Sequence, residues 1–387
     1  MAEEKKLDRR EFVKCSCAAG GGLLMATPMG ALAADAPKEN IKSRGYAAID
    51  TSGKLVPWSF ERRPVGDHDI LIDIEYASIC HSDIHQEKGH WGPQKYPQVP
   101  GHEIVGIVAA VGSKVTKFKV GDRAGVGCMV NSSLENLDHV ENEEQYTPGT
   151  VFTYGYPEKD SPTGISQGGY ATNIVVRDHF AVHIPEHISF QEAVPLLCAG
   201  ITTYSPLMKA RLKKGMKVGV AGIGGLGHMA IKIAISKGAE VYAFTTSASK
   251  VKDILGFGAK EVIVVDDLSK LAPYQGKLDY MISTIPYQYN VAAYVAVVKP
   301  YGTFCQVGMP ERFEVTLNAL GLAASRVNFN ASLIGGMKET QEVVDYCADH
   351  KVLPTIQIIR AEQINEAWES VVNKKARYRY VIDAATF

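Results

Sequence analysis

The sequence predicts an α/β protein in which a β-rich domain precedes a doubly wound parallel sheet, and three observations support this fold class. Short β-rich runs separated by turns fill residues 45–127. From residue 217 onward, apolar strand patterns alternate with apolar-periodic helix patterns, which is typical of parallel sheets with helices on both faces. The last segment returns to a mixed pattern that ends in the strand-like run RYRYVID. We expect this segment to pack against the first domain.

These pattern changes divide the chain into four segments. Residues 1–34 are predicted to be a leader, 35–188 the first part of the β-rich domain, 189–330 the parallel-sheet domain and 331–387 the return. A helix is predicted from Ser189 to Lys209. After it, the runs KVGVAG, GLGHMAIKIAISKG and EVYAFTT form one strand, helix and strand unit. That unit opens the parallel sheet.

The overall charge excludes some classes of partner. The 387 residues include 41 basic and 42 acidic side chains, for a formal net charge of −1. Without a basic surplus there is no electrostatic footprint for nucleic acid or an anionic membrane, and we expect neither as a partner. The cysteines beyond the leader are odd in number and widely spaced, which does not fit a disulfide framework.

The leader resembles a twin-arginine export signal. Arg9 and Arg10 precede a Gly/Ala-rich stretch from Cys15 to Leu32, and Ala31-Leu32-Ala33 fits a cleavage site. This predicts recognition by the twin-arginine export machinery and a periplasmic location, the alternative being a cytoplasmic protein with an N-terminal extension. Pro28 and several glycines interrupt the apolar run, which is shorter than the ~20 residues of a spanning helix, so no membrane anchor is expected.

A glycine-rich turn predicts a dinucleotide site. It lies between a predicted strand and a predicted helix, the context that such a site requires, and consists of Gly222, Gly224, Gly225, Leu226 and Gly227. A site for NAD needs an acidic residue about 20 positions further on. Hydroxyl groups and a cation occur there instead, at Thr245, Thr246, Ser247 and Lys250. They favour the 2′-phosphate of NADP, although a polar helix cap followed by a solvated lysine is the alternative.

Three separated motifs supply candidate metal ligands. Cys80 begins CHSDIH, His102 lies in PGHE, and Cys198 lies in LLCAG. Two thiolates and one imidazole make three corners of a tetrahedron and leave the fourth open for water or a substrate oxygen. A single cysteine or histidine is more often a core residue. The combination with a dinucleotide site favours zinc.

A series of six motifs resembles the zinc-dependent medium-chain dehydrogenases, especially their cinnamyl-alcohol-dehydrogenase-like branch. In order along the chain the motifs are CHSDIH, YPQVPGHEIVG, VGDRAGVGC, LLCAGITTY, GIGGLGH and SLIGGMKET. The resemblance extends from about residue 45 to residue 387. It implies a GroES-like catalytic domain, a Rossmann cofactor domain and a homodimer.

The resemblance also implies a role for individual residues. One catalytic zinc would be held by Cys80, His102 and Cys198. Glu103 would be a neighbour able to enter the metal shell, and Asp83 would orient His102. Ser82 would accept the proton beside the substrate oxygen, His85 would pass it to solvent, and Thr202 would lie against the nicotinamide. Ordinary alternatives are a helix cap for Ser82 and a surface position for His85.

The chain departs from the family at the second, structural zinc. The four cysteine positions of that site correspond to Ser133, Asn136, His139 and Thr147. One imidazole without a thiolate is a poor zinc site, so we predict that this metal is absent. Clustered cysteines would risk oxidation to disulfides in a periplasm, which is one hypothesis for their loss.

The predicted reaction is reversible reduction of an aldehyde to a primary alcohol with NADPH. His90 and Trp91 follow the first ligand motif, and an aromatic pocket wall there would suit aryl or cinnamyl-type aldehydes, with a structural role for Trp91 as the alternative. Two alternative functions are predicted. One is a polyol or secondary-alcohol dehydrogenase, and the other is an exported zinc- or dinucleotide-binding protein without turnover.

Overall fold

The computed structural model describes residues 37–132, 142–312 and 314–387. The predicted leader, with Arg9 and Arg10, lies outside the described residues, as do Ser133, Asn136 and His139. The export signal and most of the structural-zinc positions therefore stay predictions.

The described part of the chain contains seventeen strands. In chain order they are β1 Ile41–Ala48, β2 Leu55–Arg62, β3 Asp69–Ser78, β4 Ile104–Val111, β5 Arg123–Val126, β6 Met129–Asn131, β7 Val151–Phe152, β8 Asn173–Arg177, β9 Ala181–His183, β10 Lys217–Ala221, β11 Glu240–Thr245, β12 Glu261–Val264, β13 Leu278–Ser283, β14 Val298–Gln306, β15 Asn328–Ala331, β16 Ile356–Ile359 and β17 Arg379–Asp383.

The α-helices of the described residues are mostly short. They are α1 His81–Glu87, α2 Phe190–Ala193, α3 Ala199–Lys209, α4 Gly225–Ser236, α5 Val251–Gly256, α6 Val291–Val295, α7 Ala319–Ser325, α8 Met337–His350 and α9 Ile364–Val372. Within the described ranges, none has the length and hydropathy that crossing a membrane requires.

The first sheet has seven strands in the order β16-β17-β3-β4-β5-β9, with β8 also paired to β3. Its core face carries fully buried aliphatic side chains such as Ile70 and Val108. Strands β3 and β4 are antiparallel, with Ala77 opposite Ile104. Because β3 ends just before Cys80 and β4 begins just after Glu103, this pairing brings two of the predicted ligand motifs together.

The second sheet is parallel and has six strands in the order β12-β11-β10-β13-β14-β15. The chain runs outward from β10 to β12 and then restarts on the other side at β13, which confirms the predicted doubly wound arrangement. The glycine turn directly follows β10. It therefore lies at the point where the strand order reverses, the usual ligand-binding edge of such sheets.

The predicted continuous helix over residues 189–209 is wrong. The structure has α2, a 3₁₀ helix over Val194–Leu197, and then α3. Cys198 separates the last two with φ −133° and ψ −64°, outside the helical region. Proline at position 195 lacks a backbone N–H and favours the start of a new helical segment. The break places the Cys198 thiol at the start of α3.

The C-terminal segment returns to the first sheet. Strand β17 pairs antiparallel with β3, with Val381 opposite Ser78, and β16 joins the outer edge. The last strand thus lies beside the strand that leads to Cys80. The exact domain boundaries at residues 35, 189 and 331 stay predictions.

Candidate functional site

Four buried donor groups converge where these elements meet. Cys80, His102, Glu103 and Cys198 each offer one ligand atom, and the four atoms lie within 4.8 Å of one another. The two sulfur atoms are 3.9 Å apart. In a tetrahedral site with metal–sulfur distances of about 2.3 Å, two sulfur ligands lie about 3.8 Å apart. The donor types and their spacing therefore fit a zinc ion.

Asp83 holds two of these donors in place. The fully buried Asp83 carboxylate accepts hydrogen bonds from the Cys80 backbone N–H at 2.9 Å and from the Tyr170 hydroxyl at 2.8 Å. Its other oxygen is 2.8 Å from Nδ1 of His102. This contact assigns the ring proton to Nδ1 and leaves Nε2 free to bind a metal. The position of Asp83 agrees with the predicted orienting role.

The thiols of Cys80 and Cys198 are electrostatically coupled. A hydrogen bond from Cys198, opposed by burial and assisted by His102, lowers the pKa of Cys80 well below its usual value. Hydrogen bonds to the Cys128 and Cys80 thiols, together with burial, raise the pKa of Cys198. The two pKa values move in opposite directions because two thiolates this close repel each other. A divalent cation between them removes that repulsion.

Glu103 forms a buried ion pair that sequence reasoning missed. Nη2 of Arg379, on β17, donates to Oε1 of Glu103, and both side chains are almost completely buried. Oε2 of Glu103 has no hydrogen-bond partner among the described residues, so it is available to a ligand. The sequence places Arg379 at the start of the closing strand, which by itself does not indicate a partner.

The same arginine contacts the glycine turn. A Cβ atom added to Gly225 would lie 2.6 Å from Nη1 of Arg379, so a larger residue would displace the guanidinium group. Arg379 therefore connects the donor cluster to the predicted cofactor site. A buried arginine at a helix N-terminus also adds positive charge where an anion would bind.

The glycine turn has the geometry that a diphosphate cradle needs. Gly222 has a φ of +83°, and a Cβ at Gly227 would lie 2.1 Å from the Gly222 carbonyl oxygen. Both positions therefore require glycine. A Cβ at Gly224 would meet nothing within 4 Å, so this side of the turn is open. Helix α4 begins at Gly225 and directs its free N–H groups toward that space.

A polar pocket of about 640 Å³ lies beyond β11. It is lined by the predicted Thr246 and Ser247 and by five residues that the sequence did not indicate, Ser249, Asn373, Lys374, Lys375 and Arg377. Arg377 donates to the Ser249 hydroxyl at 3.0 Å. Three cations, several hydroxyl groups and no carboxylate line this pocket, a composition suited to a phosphate. The basic run KKAR was the available signal, but it is distant in sequence.

Two of the predicted cofactor residues are directed elsewhere. Nζ of the buried Lys250 donates to the Ile223 carbonyl at 3.0 Å, and burial followed by the charge of Arg377 lowers the pKa of Lys250 to about 8. Thr245 is also buried, and its hydroxyl accepts from the Ser247 backbone N–H at 3.1 Å. These contacts support the glycine turn and the loop after β11. They do not face the pocket.

The predicted proton-transfer residues lie on α1. The Ser82 hydroxyl is 3.7 Å from the Cys80 sulfur, next to the donor cluster. His85, one turn further, is buried, and its Nδ1 is 2.8 Å from Nδ1 of His90. Burial, followed by the neighbouring His90, lowers the pKa of His85, so the ring is neutral at pH 7 and able to accept a proton. A surface position for His85 is excluded.

Two further predicted residues are buried. The Thr202 hydroxyl on α3 is 3.9 Å from the Cys198 sulfur, next to the donor cluster. Thr147 is buried, and its hydroxyl has no hydrogen-bond partner among the described residues. The absence of a structural zinc stays a prediction.

Glu87, at the end of α1, is a buried carboxyl group without a partner. Neither of its oxygens makes a hydrogen bond within the described ranges. Burial, and then the charge of Asp83, raise the pKa of Glu87 well above its usual value. The pKa of Glu87 is higher in the native state than in the unfolded state. Its contribution to the free energy of unfolding is therefore fully present at pH values below the unfolded-state pKa. It is lost as the pH rises toward the native pKa.

We expect Glu87→Met to stabilise the protein at pH 8 by about 1–3 kcal/mol, the cost of burying an unpaired polar group, and to stabilise it much less at pH 4. The measurement is urea-induced unfolding at both pH values. Glu75→Met, at an exposed position of β3, is the matched control and should show no such pH dependence. Equal effects of Glu87→Met at both pH values would contradict the expectation.

Comparisons with known proteins agree with this geometry. Residues 66–186 match the alcohol dehydrogenase GroES-like domain, and residues 225–349 match the zinc-binding dehydrogenase domain. NADP-dependent alcohol dehydrogenase C 1 of Mycolicibacterium smegmatis is 44% identical over 344 residues, covering 88% of this chain and 97% of that protein.

Solved structures give the same result. Cinnamyl alcohol dehydrogenase from Sorghum bicolor superposes with a TM-score of 0.85 at 36% identity, covering 89% of this chain and 98% of that one. CAD from Helicobacter pylori, solved in complex with NADP(H), superposes with a TM-score of 0.84 at 40% identity. The match covers 90% of this chain and 99% of that one. The protein is therefore an oxidoreductase enzyme, and its chain belongs to the zinc-binding medium-chain alcohol dehydrogenases.

Proposed function

We propose that this enzyme reduces aldehydes to primary alcohols with NADPH, and catalyses the reverse reaction with NADP, at a single catalytic zinc. The observation that carries the proposal is the buried Cys80, His102, Glu103 and Cys198 cluster, which Arg379 joins to the glycine turn. A metal site and a dinucleotide cradle that share one residue suit a reaction in which the metal acts on the oxygen of a carbonyl group and the dinucleotide exchanges a hydride with its carbon.

Each group would supply a defined part of the chemistry. Zinc would be held by Cys80, His102 and Cys198, and when bound it polarises a carbonyl oxygen or acidifies an alcohol. NADP would lie along the glycine turn with its 2′-phosphate near Lys374 and Arg377, and it carries the hydride. The cationic pocket supports this choice, because a 2′-hydroxyl would not require three positive charges.

Side chains on α1 would handle the proton. Ser82, next to the Cys80 sulfur, is positioned to hydrogen-bond the substrate oxygen. His85 lies one helical turn away, neutral and largely shielded from water, and it would exchange the proton with solvent. Thr202, beside Cys198, would support the nicotinamide ring.

An aromatic wall supports aryl or cinnamyl-type substrates. The His85 ring is stacked on Trp91, with ring centroids 5.3 Å apart, and Tyr287 contacts His81 edge-on at 5.4 Å. As a wall of the substrate pocket, these rings would favour a flat apolar substrate over a polyol.

The test combines turnover and metal content on one sample. We expect extensively dialysed enzyme to retain one zinc per chain and to oxidise NADPH with cinnamaldehyde or benzaldehyde, followed at the nicotinamide absorbance. A panel of polyols with NAD or NADP should give weaker activity. No NADPH oxidation by zinc-replete enzyme would sink the proposal, and a preference for polyols would replace its substrate class.

We also propose, from the leader alone, that the enzyme is exported through the twin-arginine route. That route moves folded proteins, so cofactor could be bound before export. Continued turnover would still need a supply of reduced NADP outside the cytoplasm. Fractionation of cells that express the full chain would locate the enzyme.

A further inference from the structure

A second group of metal-ligand side chains lies outside the zinc cluster. His85, His90 and Glu311 each offer one ligand atom, and these three atoms lie within 4.8 Å of one another. Nδ1 of His90 is 2.8 Å from Nδ1 of His85 and 3.4 Å from Oε1 of Glu311. The proposed reaction gives Glu311 no role. An ion pair between His90 and Glu311 alone would not account for the buried His85 imidazole, which faces both of them.

The donor set suits a zinc-type cation. Two imidazoles and one carboxylate, with a further position open, bind Zn²⁺ in known catalytic sites, whereas Mg²⁺ and Ca²⁺ prefer oxygen ligands. The two facing Nδ1 atoms share at most one proton, so at least one lone pair is directed at the other ring. Tetrahedral ligands about 2.1 Å from a metal lie about 3.4 Å apart. The two imidazole nitrogens are 2.8 Å apart, about 0.6 Å closer than two ligands of one tetrahedral metal, so a small separation of the rings would admit a cation.

One side of this group is rigid and the other is open. The His85 ring is stacked on the rings of His81 at 4.7 Å and Trp91 at 5.3 Å. The side chains of His90 and Glu311 are 28% and 59% exposed. The buried histidine is thus a fixed ligand, while the other two can adjust and give a cation access from solvent.

The neighbouring loops are held together independently of this group. The indole N–H of Trp91 donates to the Pro310 carbonyl at 3.2 Å. This bond joins the loop after α1, which carries His90, to the loop after β14, which carries Glu311. Because the loops already meet, little ordering of the backbone is required before a cation binds.

We propose that His85, His90 and Glu311 form a second, exchangeable site for a divalent cation of the zinc type. We further propose that a cation there inhibits the enzyme by occupying the Nδ1 atom through which His85 exchanges its proton. The inhibition rests on the proposed function, which makes His85 a proton carrier. Binding of the cation does not rest on it.

The binding test is calorimetric titration of Zn²⁺ alone into enzyme that already holds its catalytic zinc. We expect one further equivalent in the unmodified enzyme. Both His90→Asn and Glu311→Gln should weaken binding of this second Zn²⁺ at least about tenfold. Removal of a residue that only supports a metal ligand already costs about tenfold in metal affinity, so removal of a ligand should cost at least as much. His187→Asn is the matched control, because His187 forms a similar but exposed pair with Asp349 at 3.0 Å. It should leave binding unchanged.

Two calorimetric outcomes would overturn the site. One is the absence of a further equivalent of bound Zn²⁺. The other is a further equivalent that both variants still bind, which would place the cation elsewhere. In parallel, NADPH oxidation by the unmodified enzyme should fall over the same range of Zn²⁺ concentration. Binding without inhibition would overturn the inhibitory role. An enzyme inactive with its first zinc would contradict the proposed function, while calorimetry would still test the site.

Discussion

Replacing Cys198 with alanine should remove the tightly held zinc and lower kcat by at least about 10³-fold. Polarisation of a carbonyl by a metal contributes several kcal/mol to the transition state, and about 4 kcal/mol corresponds to this factor. The thiol lies 3.9 Å from that of Cys80 and starts α3, so the change removes a ligand without interrupting a strand. Zinc content after dialysis and steady-state rates with NADPH and cinnamaldehyde provide the measurement.

A matched control distinguishes loss of a ligand from loss of a buried thiol. Cys305 is also a buried free cysteine, but it lies within β14 and outside the donor cluster. Cys305→Ala should retain one zinc and most of the activity, apart from a modest loss of stability from the small cavity. If Cys198→Ala kept its zinc and its rate, the assignment of the cluster as the catalytic metal site would be wrong.

The second large effect is expected at the cationic pocket. Arg377→Gln should raise KM for NADPH about 10- to 100-fold, because a hydrogen bond to a charged group contributes about 1.5–3 kcal/mol. Arg377 lines the pocket together with Lys374 and Lys375. We expect the wild-type enzyme to use NADH only weakly, and KM for NADH should change little, since that cofactor has no 2′-phosphate for Arg377 to bind. Initial rates across a range of both cofactors give the two KM values.

The control for this prediction is Lys270→Gln. It removes a positive charge from an exposed position that does not line the pocket. Its effect on both cofactors should be small, which separates local binding from a change in overall charge. Equal losses with NADPH and NADH in Arg377→Gln would mean that Arg377 supports the fold of the cofactor site instead of reading the phosphate.

The fold class was accessible from local patterns of the sequence, and the donor set from local motifs together with the family resemblance. Alternating strands and helices identify a parallel sheet wherever they occur, and the CHSDIH and PGHE motifs carry chemically specific residues. The pairing of β3 with β4 then brings Cys80 and His102 together. Cys198 is 118 positions from Cys80, and its place in the donor set was predicted through the resemblance to the family.

The partners of these residues were not accessible, because they come from the far end of the chain. Glu103 and Arg379 are 276 positions apart, and Arg377 is 128 positions from Ser249. Local pattern contains no signal for such pairs. The prediction instead selected Lys250, the nearest cation in sequence, whose ammonium group is directed at the Ile223 carbonyl. The helix break at Cys198 was missed because the apolar periodicity continues across it.

The ion pair between Arg379 and Glu103 has a thermodynamic consequence for how the two sites respond to each other. Any movement of Glu103 toward a metal would leave the buried guanidinium group without its counter-charge. An anion on the glycine turn, next to Gly225, would compensate for that loss. Occupancy of one site should therefore alter affinity at the other, and by linkage the effect must be equal in both directions. A single arginine on the last strand would thus make metal and dinucleotide heterotropic ligands of each other.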